Sequence, residues 1–246
     1  MMNPISPDKF DAVLFDLDGV LTATAKVHAA CWKKLFDEFL EERAKAAGEP
    51  LKPFDIDSDY KLYVDGKLRY EGVRSFLGSR GIDLPEGTPD ESPNSETVCG
   101  LGNRKDALVH EVLEADGVEV YEGSVRLVEQ VRSRGIRTAV VSASKNCKIV
   151  MEAARISHLF DQVVDGEVAE RLRLPGKPKP DTFLTAAERL GVVPERAVVV
   201  EDAISGVQAG RAGGFGLVIG VDRKGDPESL RKSGADIVVK DLSELV

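Results

Sequence analysis

The chain has 246 residues, with 33 lysines and arginines against 42 aspartates and glutamates, and its formal charge of -9 repels polyanions, so nucleic acid is not an expected partner. Its 42% hydrophobic content suffices for one full core and a smaller second domain. Cys31, Cys99 and Cys147 show no CxxC or paired-ligand spacing, and neither a leader-like start nor an apolar run of roughly 20 residues occurs, so the expectation is a soluble, cytoplasmic monomer with free thiols and no membrane partner.

In chain order, the first apolar run is AVLFDLDG (12–19). A largely helical stretch follows, including the strongly amphipathic HAACWKKLFDEFLEERAKAA (28–47), in which Trp32, Phe36 and Phe39 follow helical spacing and are expected to pack together. GIDLPEGTPDESPNSETVCG (81–100) is rich in Pro, Gly, Ser and acids and predicts an exposed loop, and RKDALVHEVLEA (104–115) predicts another helix. From about residue 118 strands and helices alternate. The strands are TAVVSAS (138–144), AVVVED (197–202), FGLVIGV (215–221) and DIVVKDL (236–242); the helices fall at 124–135, 145–156, 181–191 and 205–214. Near-continuous apolar strands alternating with helices predict an α/β fold, a doubly wound parallel sheet of Rossmann-like type. The predicted core is residues 1–23 and 116–246, and 24–115 form an inserted helical cap.

Ligands of doubly wound sheets bind beyond the carboxyl ends of the strands, so the polar residues closing each apolar run carry the functional reading. Those ends gather Asp16 and Asp18, Ser142 and Ser144 with Lys145 beside them, and Glu201 with Asp202. Acids crowded at one sheet edge repel one another unless a cation intervenes, and an open oxygen site that keeps some waters and takes phosphate as a ligand suits Mg2+. Asp16, at a strand end, can attack phosphorus and form an acyl phosphate. Asp18 can protonate the leaving oxygen and later deprotonate the acceptor, with Gly19 allowing the tight turn between them. Ser142, Lys145 and Lys177, the last in GKPKPD, supply donors and positive charge for phosphoryl oxygens.

The four segments FDLDGVLT, VVSASKN, GKPKPDTF and VVVEDAISG, in this order, resemble the motifs of the haloacid dehalogenase superfamily, and the resemblance spans nearly the whole core. It implies that Asp16 is the nucleophile and that Asp18 is the general acid/base and a metal ligand through its main-chain carbonyl. It further implies phosphate binding by Ser142, Ala143 and Lys177, and metal binding by Asp16, Asp18, Glu201 and Asp202. Within the superfamily the chain is similar to the β-phosphoglucomutase-like subfamily. TATAKVH looks like its hinge, with Thr24 and His28; SASKN carries Lys145 and Asn146; GKLRYE supplies a phosphate-binding Arg69 and RKDALV a cap lysine, Lys105. Ala23 and Ala203 depart from that subfamily's aspartate and serine, and the loop at 82–98 is longer than its cap needs.

The resemblance implies a sugar-phosphate substrate. One reading is a mutase converting β-glucose 1-phosphate to glucose 6-phosphate, with glucose 1,6-bisphosphate as a candidate partner. The other is a sugar-phosphate phosphatase in which water takes the phosphoryl group from the same Asp16. The core motifs serve both. A non-catalytic binding domain would not need every catalytic residue type, and dinucleotide binding lacks its GxGxxG after the first strand; GRAGGFG (210–216) reads instead as a helix end.

Overall fold

The computed structural model describes residues 4–48 and 52–246. Its strands are β1 (Ala12–Phe15), β2 (Arg137–Val141), β3 (Gln162–Val164), β4 (Ala197–Glu201), β5 (Leu217–Val221) and β6 (Ile237–Val239). They form one six-stranded sheet in the order β3-β2-β1-β4-β5-β6, every pairing parallel. β1 is central, with Leu14 in register with Ala139 on one side and Val199 on the other. Its AVLF is buried throughout, as helices on both faces of a parallel sheet require. The runs read from the sequence become β1, β2, β4, β5 and β6. β3 was not predicted, because only Val163 and Val164 are apolar in it, between Asp161-Gln162 and Asp165, whereas the equally short β6 is apolar throughout as IVV.

The described residues divide into two compact units: Met1–Thr24 with Gly66–Leu68 and Val118–Val246, and Ala25–Asp65 with Arg69–Gly117. The second is helical, made of α1 (Ala25–Ala47), a π-helical segment (Ile56–Val64), α2 (Arg69–Ser79) and α3 (Val98–Asp116). Its core holds Trp32, Phe36, Phe39, Phe54 and Phe76, with the Phe36 and Phe76 ring centroids 4.0 Å apart. In the first unit the sheet carries α4 (Glu122–Ser133), α5 (Cys147–Ala153), α6 (Gly166–Leu172), α7 (Asp181–Leu190), α8 (Ile204–Ala212) and α9 (Pro227–Ser233). Phe183 and Ala186 of α7 pack with Leu14, Ala139 and Val199 in the sheet's core. No described helix is long and apolar enough to cross a membrane.

The expected loop over 81–100 gives way to helix at Val98. The Thr97 side chain accepts a hydrogen bond from the Gly100 amide, capping α3, and Val98 and Cys99 are buried. Composition marked the exposed part of the segment correctly but could not reveal that its last residues turn inward. The helix expected over 145–156 is also shorter, ending at Ala153 before a 3-10 turn at Ser157–Leu159.

Candidate active site

The chain leaves β1 and reappears in β2 on one side and β4 on the other, so the topological switch point lies between β1 and β4, where doubly wound sheets bind ligands. Asp16 follows β1 directly, and its amide donates to the Val200 carbonyl at 2.9 Å. Glu201 closes β4 and Asp202 follows it; Ser142 follows β2, its amide donating to the Val164 carbonyl at 3.0 Å. The ladder therefore places these side chains along one edge.

Lys177 is buried in the midst of these acids. Its Nζ donates to Asp16 Oδ1 at 2.6 Å, to Glu201 Oε1 at 2.6 Å and to the Val141 carbonyl at 3.1 Å, which uses all three ammonium protons. Burial pulls the Lys177 pKa down, but the adjoining Asp16 and Glu201 carboxylates outweigh it and hold the group above its usual range, so it stays an ammonium. One cation serving two carboxylates leaves negative charge in excess. Burial pushes the Asp16 carboxyl well above the ordinary carboxylate range, Lys177 pulls against it, and Glu201 and Asp18 push it further up.

Asp16, Glu201 and Asp202 are all buried and offer oxygen atoms within 4.8 Å of one another. Three hard carboxylate donors, two of them paired with a single lysine, fit a hard dication such as Mg2+, which would offset the remaining charge. Glu201 is fixed from its other side as well: Oε2 accepts from the Ala203 amide at 2.8 Å, and a Cβ on Gly206 would overlap its carboxylate. Gly19 has φ +94°, and a Cβ there would overlap the Asp202 carboxylate, so the turn after Asp18 lies directly against Asp202.

Asp18 sits in a hydroxyl cradle. Ser142 Oγ donates to Oδ2 at 3.4 Å and Thr24 Oγ1 donates to Oδ1. Thr22 Oγ1 lies 2.7 Å from Thr24 Oγ1 and also faces the Leu17 carbonyl. Ser142 Oγ accepts from the Ser144 amide, and Ser144 Oγ from the Asn146 amide, at 3.1 Å each, which winds the segment through Ala143 tightly. Gly166 lets the start of α6 pack on the backbone of Ala143, Ser144 and Lys145. Asn146 is buried at the start of α5, whereas the Lys145 ammonium pairs with Glu170 of α6 at 2.7 Å.

In the helical unit Lys105 and His28 are both buried, with Nζ 2.5 Å from Nδ1, and Lys105 also lies 5.3 Å from the centre of the Trp32 ring. An ammonium has only donors, so in this contact His28 Nδ1 is the acceptor. Arg69 pairs with Asp106 at 2.5 Å.

The sequence reading did not single out Gly66 or Glu170, and it quoted Thr22 and Gly206 only as the ends of FDLDGVLT and VVVEDAISG, without a role. A Cβ on Gly66, where φ is +70°, would come to 2.5 Å from Ser205 Oγ and 3.2 Å from the Ala203 Cβ, so the Gly66–Leu68 segment lies against the loop that follows Glu201. The only local signal was the Asp65-Gly66 pair, an ordinary turn dipeptide.

A parallel sheet in this strand order with an acid-lined switch point defines an α/β enzyme working through carboxylates held at strand ends. A family model for haloacid dehalogenase-like hydrolases matches residues 10–214, and the chain belongs to that family. It is 51% identical over 243 residues to a β-phosphoglucomutase of Mycobacterium tuberculosis, covering 98% of this chain and 93% of the relative. It is also 38% identical over 233 residues to an uncharacterized glycosyl hydrolase of the same organism, matching only 17% of that longer protein. Among solved structures, a β-phosphoglucomutase of Clostridium difficile superposes with a TM-score of 0.73 at 28% identity, over 96% of this chain and 93% of the other.

Proposed function

We propose that the protein is a Mg2+-dependent β-phosphoglucomutase, interconverting β-glucose 1-phosphate and glucose 6-phosphate through phosphorylated Asp16. The observation that carries the reading is the near full-length 51% identity to a protein of that name, together with Asp16 held 2.6 Å from a buried lysine at the switch point. Asp16 attacks the phosphoryl group, and Asp18, oriented by Thr24 and Ser142, delivers a proton to the departing sugar oxygen and removes one from the returning hydroxyl. Lys177, Ser142 and the segment through Ala143 surround the phosphoryl oxygens with donors. Asp16, Glu201, Asp202 and the Asp18 carbonyl would hold Mg2+, which when bound neutralises charge on those oxygens.

The helical insertion, residues 24–115, carries His28, Arg69 and Lys105 as proposed substrate-binding residues, and within the core Lys145 and Asn146 are the proposed ones. Glucose 1,6-bisphosphate is the proposed phosphoryl donor for resting enzyme. The three thiols are free, consistent with a reducing cytoplasm, and the proposed working form is a monomer.

The test supplies β-glucose 1-phosphate, Mg2+ and a trace of glucose 1,6-bisphosphate and measures glucose 6-phosphate and inorganic phosphate separately. Isomer without phosphate release is the expected result; stoichiometric phosphate release would make the protein a sugar-phosphate phosphatase. Asp16→Asn abolishes both activities and labelling of the protein by phosphate. Turnover surviving that change would remove Asp16 as the nucleophile.

A further inference from the structure

Arg223 lies two residues beyond β5, and its side chain is only 16% exposed. Its Nε donates to the Gly19 carbonyl at 2.8 Å, and its Nη1 donates to the Lys240 carbonyl at 3.1 Å and faces Asp241 Oδ2 at 3.4 Å. The guanidinium is stacked 3.6 Å from the centre of the Tyr121 ring. Its Nη2 is buried and makes no hydrogen bond, so the group is held by one edge and one face. Tyr121 is itself anchored, its amide donating to the Leu21 carbonyl at 2.9 Å, and Ser124 Oγ donates to the Val20 carbonyl at 2.6 Å.

These contacts converge on the turn that follows Asp18. Gly19 has φ +94° and no side chain, so its conformation depends on what its backbone atoms bond. Its amide is held within the turn by the Thr22 carbonyl at 2.7 Å, and its carbonyl is held from outside the turn by Arg223. We propose that Arg223 is a positioning residue for Asp18: by fixing the Gly19 carbonyl from the Tyr121 platform it keeps the adjoining carboxyl aimed at the leaving oxygen. The proposal rests on Asp18 being the general acid/base. Lysine cannot replace the fork, because a single ammonium point charge lacks the plane that stacks on Tyr121 while donating along its edge.

A residue that positions an acid matters only when the leaving group needs a proton. The test therefore measures single-turnover phosphorylation of the full-length enzyme, at saturating Mg2+, by glucose 1,6-bisphosphate and by p-nitrophenyl phosphate, whose phenolate departs as a stable anion. Arg223→Gln slows transfer from the sugar by about tenfold or more, while transfer from the nitrophenyl ester is nearly unchanged. Arg223→Lys shows the same preference at smaller size. Equal slowing of both donors, or slowing of neither, would overturn the role of Arg223. Tyr121→Leu, which removes only the platform, carries the same comparison if Arg223→Gln does not fold. Asp18→Asn is the control: if it lacks the leaving-group preference, the assignment of Asp18 fails and this proposal with it, whereas a preference in Asp18→Asn that Arg223→Gln lacks rejects Arg223 alone.

Discussion

Lys177 has no spare donor and sits between two buried carboxylates, so removing its charge strands both. Breaking a buried ion pair from one side typically costs about 3–5 kcal/mol, and Lys177→Met should lower the unfolding free energy in urea by that order. A loss near zero would mean that the acids are neutralised by something other than this lysine. Gly206→Ala acts on the same carboxylate by crowding. Its methyl overlaps Glu201, which is already fixed by Lys177 and the Ala203 amide, and overpacking of this kind costs roughly 1–3 kcal/mol. Unchanged stability would show that α8 can shift at no cost. The two residues differ in how far the sequence revealed them. Lys177 stands in a motif at a fixed place in the order of strands; Gly206 closes the segment VVVEDAISG, but its closeness to Glu201, like that of Glu170 to Lys145, shows only in space.

At the scale of elements, the segment before α3 joins an exposed loop to a buried helix start. Thr97 accepts from the Gly100 amide and donates to Glu91, and Asn103 Nδ2 donates to the carbonyls of Pro89 and Glu91, at 3.1 and 2.9 Å. Loss of an N-cap costs about 1 kcal/mol, so Thr97→Ala should lower the urea midpoint accordingly and speed hydrogen exchange at Gly100. Unaltered exchange would place the helix start under the control of Asn103 instead. The strands and helices longest in apolar pattern were legible because burial on both faces writes itself into composition, as in AVLF and AVVVE. β3 and α6 were not, a limit set by apolar residues too few among polar ones rather than by length, since β6 and α5 are as short and were read: β3 has only Val163 and Val164, and α6 only Val168, Ala169 and Leu172. The same limit hid the beginning of α3, where Val98 and Cys99 follow a run of turn residues and precede the helical repeat.

At the scale of the whole molecule, acid stability and core structure make separate predictions. Asp11, just before β1, accepts two hydrogen bonds from Arg196, which precedes β4. The Arg196 hydrogen bond holds the Asp11 carboxyl below its usual range against the opposing effect of desolvation, helped by the charges of Arg196 and Arg137. A depressed folded-state pKa stabilises the fold above the unfolded value, and that contribution disappears as the pH falls through the folded value. Arg196→Gln should therefore lower stability at neutral pH and leave it nearly unchanged once Asp11 is protonated, in urea titrations at the two pH values; a constant difference would mean the bridge is not what Arg196 contributes. The cores are distinct in membership: the cluster around Phe36 shares no side chain with the sheet cluster around Phe183. Phe36 stacks with Trp32 at 5.2 Å and with Phe54 at 5.3 Å as well as meeting Phe76, so Phe36→Ala empties the centre of the helical unit at a cost of about 3–5 kcal/mol. If each unit is stabilised by its own core, hydrogen exchange should accelerate in α1, α2 and α3 of the variant while amides of β1 and β4 keep their protection. Uniform acceleration across the sheet would instead mean that both units open as one cooperative body, and the independence inferred from their separate cores would be wrong.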